Sequence, residues 1–201
     1  MTEATHAYRI PAGTAGPELF KDRKSKFIGL VFPVSDREAI SLALDSVRSR
    51  YADANHVCYA YRLAPPEAEI RTHDDGEPVH SAGAPILGQI EAFGLHQVLV
   101  CVVRYFGGTK LGFGGLVRAY RECARGVLES CPVDTVRRQV QLEIEFGYDQ
   151  LDAVMRIIDQ SRLEVLHREM QLQGLIRLGL DPEIADTLRV RFKALPGVIV
   201  R

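Results

Sequence analysis

Three clusters in this chain carry residue types and spacings that could do chemistry. The first is Arg104-Tyr105-Phe106-Gly107-Gly108-Thr109-Lys110-Leu111-Gly112-Phe113-Gly114-Gly115, followed by Leu116-Val117-Arg118-Ala119-Tyr120, with five glycines in nine positions. A glycine-rich loop opening a helix can hold a phosphate or another anion, because free amides and the helix dipole both point there. The spacing excludes a P-loop, which needs Gly-Lys-Ser/Thr after four spacers, and a GxGxxG dinucleotide fingerprint. The plainer alternative is a tight connection whose glycines let two backbones pack closely.

The second cluster is His73-Asp74-Asp75-Gly76-Glu77-Pro78-Val79-His80-Ser81. Carboxylates and imidazoles at this density suit a divalent ion or acid and base catalysis. The alternative is an Asp-Gly turn with a solvated acidic rim, and the spacing is not that of a zinc site. The third is Asn55-His56-x-Cys58. Positions i and i+2 of a strand share a face, so a Cys and His nucleophile pair is geometrically allowed. A packed strand thiol is the competing expectation, since nothing nearby lowers the cysteine pKa.

The elements that must position these clusters follow from patterning. Val98 to Val103 is the most apolar run and reads as a central strand covered on both faces. The helix after the glycine loop buries Leu116, Ala119 or Tyr120, Cys123, Ala124, Val127 and Leu128, with Arg118, Arg121 and Arg125 opposite. Upstream, the first twenty residues read as a lightly structured lead-in, and Lys26 to Val34 as a strand. Ser35 and Glu38 form a capping-box pair before a helix carrying Ile40, Leu44 and Val47. Val57 to Leu63 reads as a strand, paired with Ile70 to Thr72 across an Ala64 to Ala68 turn. A helix from Ser81 or Pro85 to Phe93 stops at Gly94.

Pro132 to Arg137 interrupts the pattern and predicts two domains, 1–134 and 135–201. In the second, Val140, Leu142, Ile144 and Phe146 alternate with polar residues as a half-exposed strand, and Glu143 and Glu145 give its outer face an acidic character. A helix follows, then a hairpin closed near Gly174. Asp181-Pro182 caps a last helix with Ile184, Leu188, Phe192 and Leu195 as its buried stripe, and Val198 to Val200 closes the sheet. That order, βαββαβ, is the split βαβ arrangement of a ferredoxin-like domain.

With 201 residues, 46% hydrophobic, 25% charged and a formal net charge of −1, the chain has the composition of a soluble α+β protein, and bulk charge excludes a generic polyanion binder. No apolar run is long enough for a membrane span and the start lacks a signal-peptide pattern, so the expectation is a cytoplasmic protein, monomeric or weakly oligomeric. Four cysteines without a CxxC or a regular framework read as buried thiols. No cofactor, metal site or DNA-specific motif is expected.

Asp74-Asp75-Gly76-Glu77-Pro78, Ala82-Gly83-x-Pro85 and the block from Val103 to Tyr120, with Lys26-Phe27-Ile28-Gly29 and His56-x-Cys58-x-Ala60-Tyr61, together resemble the signature of the YigZ/Impact family over roughly residues 20 to 130. The remainder resembles the small domain of bacterial members, similar to the last domain of elongation factor G. The resemblance implies an N-terminal domain with the fold of the second domain of ribosomal protein S-five. It also implies a link to translation, which eukaryotic Impact proteins regulate. Where the family usually reads Gly-Thr, this chain has His80-Ser81, which removes a glycine at position 80 and keeps a hydroxyl to cap the next helix.

The leading expectation is a non-catalytic protein binding RNA or a ribosome-associated partner. Lys26, Arg104, Lys110 and Arg118 would contact phosphates, with His56 beside them; Tyr105 and Phe106 would stack on bases, and Gly107, Gly108, Gly112, Gly114 and Gly115 would shape the loop and offer amides. The rival is an enzyme acting on a small phosphorylated molecule, with Asp74, Asp75 or Glu77 as base or magnesium ligand. A protein-interaction module differs from the first mainly in its partner.

Overall fold

The computed structural model describes residues 7–64, 69–137 and 139–201. Contacts between Cα atoms divide them into a unit over Tyr8–Val136 and another over Arg137–Arg201, to which Ala7 also belongs. Both are α+β. In the first, β1 (Ala7–Pro11) pairs with β7 (Val133–Arg137) as a two-stranded sheet. A five-stranded sheet holds β2 (Ala15–Asp22), β3 (Ser25–Pro33), β4 (His56–Arg62), β5 (Ile70–His73) and β6 (Val98–Tyr105) in the order β2-β3-β6-β4-β5.

The apolar run forms β6, the middle strand, and period-2 alternation sends its side chains to two cores. Val98, Val100 and Val102 meet α2 (Gly83–Ala92) and α3 (Gly112–Glu129). Leu99, Cys101 and Val103 meet Ile40, Leu44 and Val47 of α1 (Arg37–Arg50). Ala119 and Tyr120 are both buried in α3, as is Cys123.

Several local expectations need correction. The described part of the lead-in, from Ala7 on, is not loose: β2 pairs along β3, Phe20 opposite Phe27, so long-range pairing orders a segment whose own sequence is turn-like. The cap of α1 is Asp36, whose Oδ1 accepts from Ala39 N at 2.9 Å, while Ser35 Oγ only donates to the other oxygen of that carboxylate. The hydroxyl of Ser81 caps nothing; it is buried and has no hydrogen-bond partner among the described residues. The Ala64 to Ala68 turn lies mostly outside the described residues.

His80 has φ of 64°, the left-handed conformation that favours glycine, so the backbone here takes a geometry that a non-glycine residue adopts at a cost. His80→Gly is therefore expected to raise stability by about 0.5–1 kcal/mol, after the entropy of the added glycine is subtracted from the relief of strain. Urea unfolding checks this, and a loss of stability would contradict it.

The second unit runs β8 (Val140–Phe146), a short 3-10 turn, α4 (Leu151–Gln160), β9 (Glu164–Met170), β10 (Gly174–Leu180), α5 (Pro182–Lys193) and β11 (Ile199–Val200). Its sheet order, β11-β8-β10-β9, is that of a split βαβ unit. Asp181 caps α5 through Glu183 N at 3.0 Å. Ala185, Leu188 and Phe192 form the buried stripe; Ile184, one position away on the first turn, is 42% exposed. The outer face of β8 is not bare acid, because Arg177 pairs with Glu143 at 2.8 Å and Arg201 with Glu145 at 2.6 Å.

Candidate functional site

The acidic turn follows β5 and folds back over the start of β4. Its first two carboxylates are engaged by backbone amides. Asp74 Oδ1 accepts from Ala82 N at 3.0 Å and Gly83 N at 2.8 Å, and Oδ2 accepts from His80 N at 2.9 Å. It is the side chain that caps α2, reached across eight residues. Asp75 Oδ2 accepts from Val57 N at 2.7 Å, and its carbonyl lies 2.7 Å from His56 Nδ1. No group of three or more His, Cys, Asp and Glu is placed to hold a metal ion among the described residues.

Glu77 is different: it turns inward and is only 9% exposed. Its Oε1 forms a short ion pair with Arg104, 5% exposed, and accepts from Tyr120 Oη at 2.8 Å. His56 Nε2 stands 3.9 Å away. The Arg104 guanidinium lies between two rings, 5.4 Å from the centre of Phe27 and 5.6 Å from that of Phe106. Behind this pair, the Cys58 thiol is shared between Asp74 O at 3.1 Å and Tyr120 Oη at 3.3 Å. Burial, more than any neighbour, pushes the Cys58 and Tyr120 pKa values far up, so both stay protonated. Fully buried and hydrogen-bonded on both sides, Cys58 has the setting of a structural thiol and not of an activated nucleophile.

The glycine loop wraps the outer side of Arg104. A Cβ on Gly107 would lie 2.1 Å from Lys24 C, so this position must be glycine for the loop to cross the β2–β3 turn. Gly108 and Gly112 take φ of 85° and 73°. Gly112, Gly114 and Gly115 lie in the first turn of α3, which has no side-chain cap. Lys110 is exposed and without an ion-pair partner among the described residues.

Between loop and acidic turn lies a cavity of about 370 Å³. Glu77 and Arg104 line it, Lys110 and Gly112 stand on one side, and Phe106 and Phe113, 45% and 56% exposed, form aromatic walls. The acidic turn and the loop thus meet at one place.

Other expected contacts lie elsewhere. Tyr105 packs toward α1 and donates its hydroxyl to Asp53 at 2.7 Å, because strand alternation turns it away from Arg104. Tyr105 and Phe106 therefore form no shared stacking platform. Lys26, opposite Tyr105 in the β3–β6 register, falls on that same face. Arg118 pairs with Asp22 at 2.7 Å. The cavity also has lining residues that the patterning did not single out, chiefly Phe113 and Pro78. A phenylalanine in the first turn of an amphipathic helix, outside its buried stripe, was the available signal.

The family described as the Impact N-terminal domain matches residues 23–128. The chain is 32% identical over 163 residues to the IMPACT family member YigZ of Escherichia coli (strain K12), covering 79% of this chain and 78% of that protein. It is 38% identical over 143 residues to the IMPACT family member in the pol 5′ region of Thermus thermophilus, covering 71% and 76%. A crystal structure described as that of a hypothetical protein superposes with a TM-score of 0.70 at 26% identity, covering 96% of both chains.

Proposed function

The chain belongs to the Impact family, and on that premise we propose that it is a non-catalytic, translation-related regulatory protein that binds RNA at the cavity under the glycine loop. The observation that carries this is the pairing of two exposed rings, Phe106 and Phe113, with a Lys110 that has no ion-pair partner among the described residues, beside the start of α3. A nucleobase can stack on a ring while its phosphate meets the lysine and the first-turn amides. The bulk charge supplies no attraction, so affinity must come from this local group. The role falls to the domain read as 1–134, with 135–201 a separate ferredoxin-like domain.

The arrangement does not favour a phosphate-ester enzyme. Asp74 and Asp75 face backbone amides, and Glu77 is held by Arg104 and Tyr120. None of the three is left as a base toward the cavity. Fluorescence anisotropy of a labelled oligouridylate against salt tests the RNA reading. Lys110→Ala is expected to reduce the log–log salt slope by about 0.7. Phe106→Ala is expected to weaken binding by about 1–3 kcal/mol, roughly 5- to 150-fold. Affinity indifferent to salt and to both substitutions would end the proposal.

A further inference from the structure

Beyond the cavity, a groove of about 620 Å³ runs between α2 and α3, lined by His80, Pro85, Gly88, Gln89, Val117 and Arg121 among others. The two depressions share no lining residue but are bordered by successive residues of the same two segments. On one side, the turn that supplies Pro78 to the cavity supplies His80 to the groove. On the other, Phe113, Val117 and Arg121 follow at i, i+4 and i+8 along one face of α3, spanning about 12 Å of helix axis. Resting on the RNA reading above, we propose that the site continues along this groove, where Arg121 holds a further phosphate, so that the protein takes an extended single strand and not an isolated nucleotide.

Charge selects this occupant. Of the arginines on the outer side of α3, Arg118 is paired with Asp22, and Arg125 with Glu122 and Glu129. Arg121 is exposed and has no partner among the described residues. Among the described residues no carboxylate lines the groove, and the carboxylate lining the cavity, that of Glu77, is neutralised by Arg104. Lys110 and Arg121 therefore mark the two positively charged ends of a path whose middle is neutral. The groove floor is low at Gly88, where a Cβ would meet nothing within 4 Å, leaving room for a backbone to track through.

The test compares a dinucleotide with an oligouridylate of about ten nucleotides, a length within the range of single-strand sites. Arg121→Ala is expected to reduce the salt slope for the longer strand by about 0.7 and to leave dinucleotide binding unchanged. Gly88→Glu, which adds a carboxylate to the groove without a clash and replaces a helix glycine by a better helix former, is expected to weaken the longer strand several-fold and spare the dinucleotide. Thermal melts of both variants confirm that the fold is kept. If Lys110→Ala weakens binding but neither groove variant alters the longer strand, the groove is overturned and the cavity reading stands. If the parent protein binds neither length, both fall. If polyglutamate displaces the labelled strand as well as unlabelled RNA does, the occupant is an acidic peptide and the proposal is overturned.

Discussion

Arg104→Ala is expected to destabilise the protein by about 3–5 kcal/mol, because it leaves a buried carboxylate without its countercharge. The Glu77 side chain is 4% exposed and that of Arg104 6%, so water cannot replace the lost partner cheaply. Tyr120 would remain as a donor at 2.8 Å, and one neutral hydrogen bond does not offset an unpaired buried charge. The substitution also removes the planar group packed between Phe27 and Phe106. Against a typical total of about 5–15 kcal/mol this is a large fraction. The double substitution Arg104→Met with Glu77→Gln, which removes both charges and keeps an acceptor for Tyr120, is expected to be clearly more stable than Arg104→Ala. Urea unfolding of the variants measures this, and a loss below about 1 kcal/mol for Arg104→Ala would contradict the buried pair.

Asp74→Ala is expected to lose about 2–4 kcal/mol, since one carboxylate satisfies three backbone amides, two of them at the start of α2. Its pKa carries the same information. Burial acts to raise it, but the donors Gly83, His80 and Ala82 together hold it below the ordinary 3.8. An acid whose folded pKa lies below its unfolded one adds stability above the unfolded value. That stability is lost as pH falls through the folded pKa. The parent protein should therefore lose this part of its stability below about pH 4, and Asp74→Asn, which cannot ionise, should be less stable at neutral pH with a flatter acid profile. Unfolding curves between neutral and acid pH separate the two outcomes.

The central strand, α3 and the βαββαβ unit were legible in the chain because each is written as a local period. Val98 to Val103 is continuously apolar, and Val140 to Phe146 alternates without a fault. What escaped depends on partners distant in sequence. Nothing near Ala15–Asp22 announces a strand; it becomes one by lying along β3. Asp74 looked like a solvated acid because the amides it caps arrive only when α2 folds back. Glu77 looked equally solvated, and its burial follows from Arg104, which is 27 residues away. Of the site, the glycine loop and the acidic turn were visible as motifs. Their meeting at one cavity was not, whereas the diversion of Tyr105 follows from strand alternation alone.

The four cysteines, at 58, 101, 123 and 131, all lie in the Tyr8–Val136 unit, buried and free, and burial lifts the Cys101 and Cys123 pKa values to about 12. The unit over Arg137–Arg201 contains none. An alkylating reagent can therefore reach a thiol only when the first unit opens, and the second is silent to it. The chain carries its own site-selective reporter: labelling rate reads the opening of the first unit alone, and slowing of that rate by an added oligonucleotide would register the proposed binding without any added probe.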